Sequence, residues 1–467
     1  MATKRMKPLD AVWLLMESAD TPMHVGVLAT FHKPRGAAAA YLSQWAADMR
    51  DRGEPVWPWN ARLLHRRGAP LHPVLVCEHA VDLDYHFRHS ALPRPGGERE
   101  LGIFVSRLHG KALDGRRPLW EFHLIEGLAG DRFAFYIKVH HALINTINGV
   151  PLLLSTLSSS ARARPTAPLW AVPVAGGAAA PDGTADADPN PNPLQWGEVG
   201  DAVSALGESA MALVRPSVAR GHGAKILSPV APRSTLNRRI NAQRRFATQQ
   251  FTRARIQRLA DATHSTLNEI LAYLCGSSLR RFFKEYNALP DASLVGVLPV
   301  SLREHSERLP GNAIAGIRVA LATHIGDPLA RLAAVKASMQ AVRAARQALP
   351  EAAVTPRILL RAAPLFVSQL PMVGGFVPPP SNLTVSNTLG PERPLYYNGA
   401  RMESVFPLAQ LMQYRALSID CVSYAGTLNI GFTGARDTLP HLQRLAVYMG
   451  NALSDLELLV KKGEGAP

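Results

Sequence analysis

The sequence predicts a two-lobed α+β protein built on mixed sheets, and three observations carry that reading. A chain of 467 residues is long enough for two domains with full cores. Segments apolar at every second position and segments with helical period follow one another without strict alternation, which suits mixed-sheet lobes. Between the halves, residues 161–195 are rich in Ala, Pro, Gly and Asp. Such a stretch cannot bury enough apolar surface to order itself and reads as a linker. The expected divisions are an N-terminal lobe over 1–160, a linker over 161–240 and a C-terminal lobe over 241–467.

In chain order, residues 9–18 read as a capped helix and MHVGVLATF (23–31) as a strand. A helix over 41–50 precedes a loop holding Pro and Trp. DLDYHFRH (82–89) is dense in charge and aromatic character. Over 98–113, Leu101, Phe104, Val105 and Leu108 share one face of an amphipathic helix. Pro118-Leu119-Trp120 then turns into a strand over 121–126.

The most informative stretch is FAFYIKVHHALINTINGVPLLL (133–154). Phe133, Phe135, Ile137 and Val139 alternate with Ala134, Tyr136 and Lys138, the period of a half-buried strand. If that geometry persists, His140 and His141 point to opposite faces, and His141 falls on the apolar side with Val139. Asn145 or Thr146 can cap the helix that follows, whose buried face is Ile147, Val150, Leu153 and Leu154. A neutral histidine aimed into an apolar space can take a proton from a bound hydroxyl. Read alone, such a histidine is more often a packed core residue.

Beyond the linker, 201–218 reads as a helix, and NRRINAQRRF (237–246) is the densest basic run, either a solvated connector or a surface for phosphates. A strand over 246–252 and a helix over 254–262 follow. The long helix over 266–284 opens with Ser265-Thr266-Leu267-Asn268-Glu269, a capping arrangement. LVGVLPVS (294–301) is a buried strand and 329–346 a basic amphipathic helix. The apolar run over 358–380 is interrupted by Arg361, Gln369 and prolines, as a core helix pair would be. Strands over 416–424 and 427–433 precede a closing helix over 439–460.

Composition is that of an ordinary globular chain, 47% hydrophobic and 19% charged. With 51 Lys and Arg against 36 Asp and Glu, the net charge is +15. That balance favours an anionic membrane or a phosphate-bearing substrate. Nucleic acid is disfavoured, because aromatics make up 7% of the chain and do not interleave with the basic residues. Three scattered cysteines, Cys77, Cys275 and Cys421, show no metal or disulfide spacing and suit reducing cytosol. No signal peptide or stretch of transmembrane length is expected.

The segment HHALINT (140–146) resembles the HHxxxDG signature of the CoA-dependent acyltransferases. Flanking blocks make the chain similar to the bacterial wax ester synthase/diacylglycerol acyltransferases. They are LDAVWLLMESADTPMHVGVL, DLDYHFRHSALPRPGGERELGIFVSRLH, RRPLWEFHLIEGL, STLNEILAYLCGSSLRRF, NLTVSNTLGPE and VSYAGTLNIGFTGARDTLP. Two departures stand out: Asn145-Thr146 replaces Asp-Gly, and Gln413-Tyr414-Arg415 replaces a small, Gly-containing segment beside the acyl tunnel.

The resemblance implies two chloramphenicol-acetyltransferase-like lobes with a tunnel at their interface. It implies that 382–387 crosses to complete the other lobe's sheet. The reaction implied is transfer of a long-chain acyl group from acyl-CoA to a fatty alcohol or diacylglycerol. His141 would be the general base, with His140 and Asn145 at the catalytic motif. Met23, His24, Thr146, Gly149, Asn268 and Tyr414 would line the substrate path, with a structural role the alternative for His24 and helix capping for Asn268. Pro118, Leu119 and Trp120 would be structural. No metal or cofactor is expected, since acyl-CoA is a co-substrate. Neutral-lipid products imply a cytoplasmic protein peripheral to the inner membrane or lipid inclusions. The alternative is an impaired relative that binds acyl-CoA or lipid without efficient turnover.

Overall fold

The computed structural model of the chain describes residues 3–6, 8–64, 73–143, 146–163, 167–172, 230–301, 314–347, 369, 374–376 and 378–464. The first half contains β1 (Thr3–Arg5), α1 (Pro8–Met16), β2 (His24–His32), α2 (Tyr41–Asp51), β3 (Ala61–Leu64) and β4 (Val74–Cys77). Next come α3 (Leu83–His86), β5 (Phe87–Ala91), α4 (Glu98–Gly110), β6 (Trp120–Leu128), β7 (Arg132–His140) and α5 (Thr146–Ser155). The second half begins with β8 (Arg244–Thr252), α6 (Arg253–Ala262), α7 (Leu267–Glu285), β9 (Val295–Ser301), β10 (Ile314–Ala320) and α8 (Pro328–Gln347). It ends with β11 (Leu383–Thr388), β12 (Tyr396–Tyr397), β13 (Ala400–Leu408), β14 (Leu417–Tyr424), β15 (Thr427–Ala435) and α9 (Gln443–Glu464).

Two six-stranded mixed sheets organise these elements. The first has the order β12-β13-β2-β7-β6-β5 and the second β10-β9-β11-β14-β15-β8. A small sheet, β1-β4-β3, flanks the first. In the second sheet β11 runs parallel to β9 and β14, and its other pairings are antiparallel.

The crossover lies later in the chain than 382–387. That segment forms β11 and stays in the second sheet. The chain leaves only after Gly390 and Pro391, and β12 and β13 then join the first sheet, with Val405 opposite Ala29. A side chain at Gly390 would collide with the Ser423 carbonyl oxygen, so glycine is what lets the exit run so close to β14. The first sheet therefore draws two strands from beyond residue 241, and a lobe confined to 1–160 would lack them.

The linker expectation also changes at both ends. Leu169 and Trp170 pack into the first core, Trp170 against Phe87 and Trp120. Leu236 and Ile240 pack into the second. A tryptophan surrounded by aromatic partners buries enough apolar area to order a short segment that composition alone marks as loose. The expected helix over 201–218, and most of 358–380, lie outside the described residues.

Helix α7 is capped as its sequence suggests. The Thr266 side chain accepts the Glu269 N–H, and Glu269 returns a bond to the Thr266 N–H. Strand β7 departs from expectation: both its faces are buried. Phe133, Phe135, Ile137 and Val139 enter the core beneath α2 and α5. On the other face Ala134 and Tyr136 meet Leu101 and Val105 of α4 and Phe246 of β8. The face that reads as solvent-exposed is covered because α4 and β8 close over it.

Candidate active site

The site grows from the meeting of β2 and β7. These strands pair antiparallel with His24 opposite His140. The pairing carries on past the strand end, where the His141 N–H donates to the Met23 carbonyl at 2.8 Å. The His140 N–H donates to the Leu119 carbonyl at 2.9 Å, so the residue before Trp120 holds the other side of the histidine pair.

His141 is buried, and its ring stacks on Trp13 of α1 with centroids 3.8 Å apart. Its Nδ1 has no hydrogen-bond partner among the described residues. Burial first, and the neighbouring His140 second, push its pKa down to about 3. The imidazole is therefore neutral throughout the physiological range, as a proton acceptor must be. Val25, Val27, Ile137, Val139, Leu152 and Leu169 line a void of about 20 Å³ on the Val139 face of the strand pair; His141 is not part of its wall.

His140 turns the other way. Its Nδ1 accepts the Ala142 N–H at 3.1 Å, which leaves Nε2 protonated and 3.5 Å from the Glu17 carboxylate. Glu17 also accepts the Met23 N–H at 3.0 Å. Burial disfavours the charged carboxylate, but His140 and that N–H outweigh it and hold Glu17 below its ordinary range. The opposite-face expectation for the two rings thus corresponds to two environments, aromatic for His141 and polar for His140.

His24 belongs with His140, not with His141. Its Nε2 donates to the His109 carbonyl at 2.8 Å, and the two rings meet edge to face. His109 in turn accepts from the Tyr136 hydroxyl at Nδ1 and donates from Nε2 to the Ala409 carbonyl. These bonds favour the structural alternative for His24. Burial lowers the pKa of His24 well below 6.5 and that of His109 to about 3.

Lys138 is the feature that sequence reading misses. It is fully buried, and its ammonium meets Glu121 at 3.1 Å and the carbonyls of Leu108 and Lys111 at 3.2 and 2.9 Å. Glu121 also meets His123 at 3.2 Å. Burial opposes its charge, yet His123 and Lys138 bring the Glu121 pKa down to about 2. The signal lay in the sequence: Glu121 and Lys138 each interrupt a largely apolar stretch of β6 and β7, and register places them opposite one another.

The remaining candidates divide. Met23 is fully buried beside His141. Trp120 stacks on His86 and Trp170, and its indole N–H donates to the Trp59 carbonyl, all packing contacts. Asn268 is exposed and accepts from Asn387 at 2.8 Å; Thr266 does the capping. Tyr414 sits in a tight turn at φ 62°, and its carbonyl accepts from Asn237. That left-handed backbone is the conformation glycine adopts freely and a tyrosine adopts at a cost of about 1 kcal/mol. Neither Asn268 nor Tyr414 has a hydrogen bond or ring contact with His141 among the described residues. Asn145 and the side chains of Thr146 and Gly149 lie outside them. In the basic run, Arg244 is buried and reaches the Asp20 carbonyl, so part of that run ties the halves together.

His24, His109 and His141, all depressed by burial, predict a pH dependence of stability. Each is neutral when folded and takes a proton near pH 6.5 when unfolded, so acid favours the unfolded chain. The stability is intact above pH 6.5 and declines toward pH 3, by about 1 kcal/mol per pH unit for each group. Urea midpoints should hold between pH 7.5 and 6.5 and fall from there to pH 4.5, less steeply in His141→Ala.

Comparison with known proteins adds to this geometry. Residues 6–271 match the wax ester synthase/diacylglycerol acyltransferase catalytic domain, and residues 310–457 match the WS/DGAT C-terminal domain. A putative diacylglycerol O-acyltransferase of Mycobacterium tuberculosis, Rv3480c, is 41% identical over 97% of each chain. A probable diacylglycerol O-acyltransferase of the same organism, tgs2, is 35% identical over 97% of this chain and 99% of its own. The wax ester synthase/diacylglycerol acyltransferase from Marinobacter aquaeolei VT8 superposes with a TM-score of 0.81 at 30% identity, covering 98% of this chain and all of its own. The first condensation domain of the CDA synthetase, at 18% identity and a TM-score of 0.53, shares the fold alone. Among the described residues no helix is long and apolar enough to cross a membrane.

Proposed function

This chain belongs to the wax ester synthase/diacylglycerol acyltransferase family and is an acyl-CoA O-acyltransferase, and we propose that His141 is the base of its reaction. The observation that carries this is a buried, neutral imidazole stacked on Trp13, its backbone N–H tied to the Met23 carbonyl, with Val139, two residues before it, lining a small apolar void. The acceptor hydroxyl gives its proton to His141 as its oxygen attacks the thioester carbon of acyl-CoA. The tetrahedral adduct then collapses, the carbon–sulfur bond breaks, and the departing thiolate recovers the proton from the imidazolium. No acyl-enzyme forms. The acceptor is a fatty alcohol or a diacylglycerol, giving a wax ester or a triacylglycerol. Holding both chains in one apolar site supplies much of the rate by proximity. The void holds about one water molecule, so an acyl chain must widen it by shifting Leu152 or Leu169. Contact with a membrane or lipid inclusion, where the acceptor resides, completes the reading.

Asn145 and Thr146 set the rate. The imidazolium that forms in so buried a site needs a stabilising charge, and an aspartate in place of Asn145 is expected to provide it. Purified protein with palmitoyl-CoA and hexadecanol or dioleoylglycerol is expected to form the ester slowly. Asn145→Asp with Thr146→Gly should raise the turnover by roughly 10². An unchanged rate would make residue 145 structural. No ester from parent or variant would favour a protein that binds acyl-CoA without turnover.

A further inference from the structure

In the helical layer of the second lobe, α7, α8 and α9 enclose a cleft of about 410 Å³ with no lining residue from the first sheet. Its walls carry Arg280, Arg281, Lys284 and Arg331 against one carboxylate, Asp455. Neutral groups hold these cations in place. Arg331 is buried and donates to the carbonyls of Ile325 and Gly326 and to the Ser277 hydroxyl, at 2.7–3.0 Å. Arg280 donates to the carbonyls of Thr323 and His324. Arg281 lies over the Tyr448 ring, 4.7 Å from its centroid. None of the four forms an ion pair with a carboxylate among the described residues, and Asp327 acts on Arg331 only at longer range.

Four like charges converging on one concave surface repel one another, and low-dielectric walls focus their field outward. Guanidinium groups fixed by carbonyls keep their remaining donors for a planar or tetrahedral oxyanion. We propose that this cleft binds a phosphate-bearing anion, at a place separate from the acyl-transfer site. Two sources have that chemistry, a soluble phosphate ester and the headgroup of an anionic phospholipid.

The test is a binding measurement and stands apart from the transfer reaction, so its failure would leave the His141 reading untouched. Calorimetric titration of the full chain with inorganic pyrophosphate, at constant ionic strength, should show one saturable site. Arg281→Glu with Lys284→Glu changes two exposed positions and should weaken it at least tenfold, roughly. The thermal midpoint and the transfer from palmitoyl-CoA to hexadecanol should not change. Arg238→Glu with Arg239→Glu, elsewhere on the basic surface, should leave binding intact. Flotation with phosphatidylcholine vesicles, with and without phosphatidate, separates the sources. Phosphatidate-dependent flotation lost in the Arg281/Lys284 variant, without pyrophosphate binding, assigns the cleft to a lipid headgroup. Absence of both, or equal loss in the Arg238/Arg239 control, overturns the proposal.

Discussion

Replacing His141 with alanine is expected to lower ester formation by about 10³-fold or more, within the range for removing a positioned general base. The fold should survive. The His141 side chain makes no hydrogen bond through Nδ1, and its backbone bond to Met23 does not depend on the ring. Some stability is lost with the Trp13 stack, and some acid sensitivity is removed. His140→Ala should behave differently. Its ring receives the Ala142 N–H and faces Glu17, so removal loosens the turn that presents His141. A fall in stability accompanying the fall in rate would distinguish it. If His141→Ala kept most of the parental rate in a folded protein, another group would have to take the proton.

The largest effect on stability is expected at Glu121. Glu121→Ala leaves the Lys138 ammonium fully buried with two carbonyls and no counter-charge, which costs about 3–5 kcal/mol. Glu121→Gln keeps the acceptor but not the charge and should cost less. Lys138→Met removes the charge that needs compensation, yet leaves the buried Glu121 carboxylate with His123 as its remaining side-chain partner. The double variant Glu121→Leu, Lys138→Met should recover much of the loss, because well-packed apolar residues can replace a buried ion pair at little cost. Urea unfolding of the four variants, read at the first lobe's tryptophans, checks the order. Equal stability of Glu121→Ala and parent would contradict the buried pair.

Much of this was legible in the residues. Alternation marked β2, β7, β8, β14 and β15 to within a few residues, and Ser-Thr-Leu-Asn-Glu marked the start of α7. Strand β13 was not legible as a crossover. Its sequence alternates only in part, and its partner is some 370 positions away, where Thr30 meets Ser404 at 2.6 Å. The four-residue strands β3 and β4 are too short to show a period. At the site, the period of two separated His141 from His140 without any structure. What it could not supply was Trp13, held over the ring by tertiary packing between distant segments, or the burial of Lys138. Local pattern reports which faces differ, and only the closing of α4 and β8 decides that both are dry.

Direct transfer without a covalent intermediate is the central claim, and CoA release before acceptor is added tests it most directly. Rapid-quench mixing of the protein with palmitoyl-CoA alone should yield no stoichiometric burst of free CoA. Release should begin only when hexadecanol is present, match ester formation mole for mole, and disappear in His141→Ala. A burst of one CoA per chain without alcohol, or alcohol-dependent release that survives His141→Ala, would contradict the account.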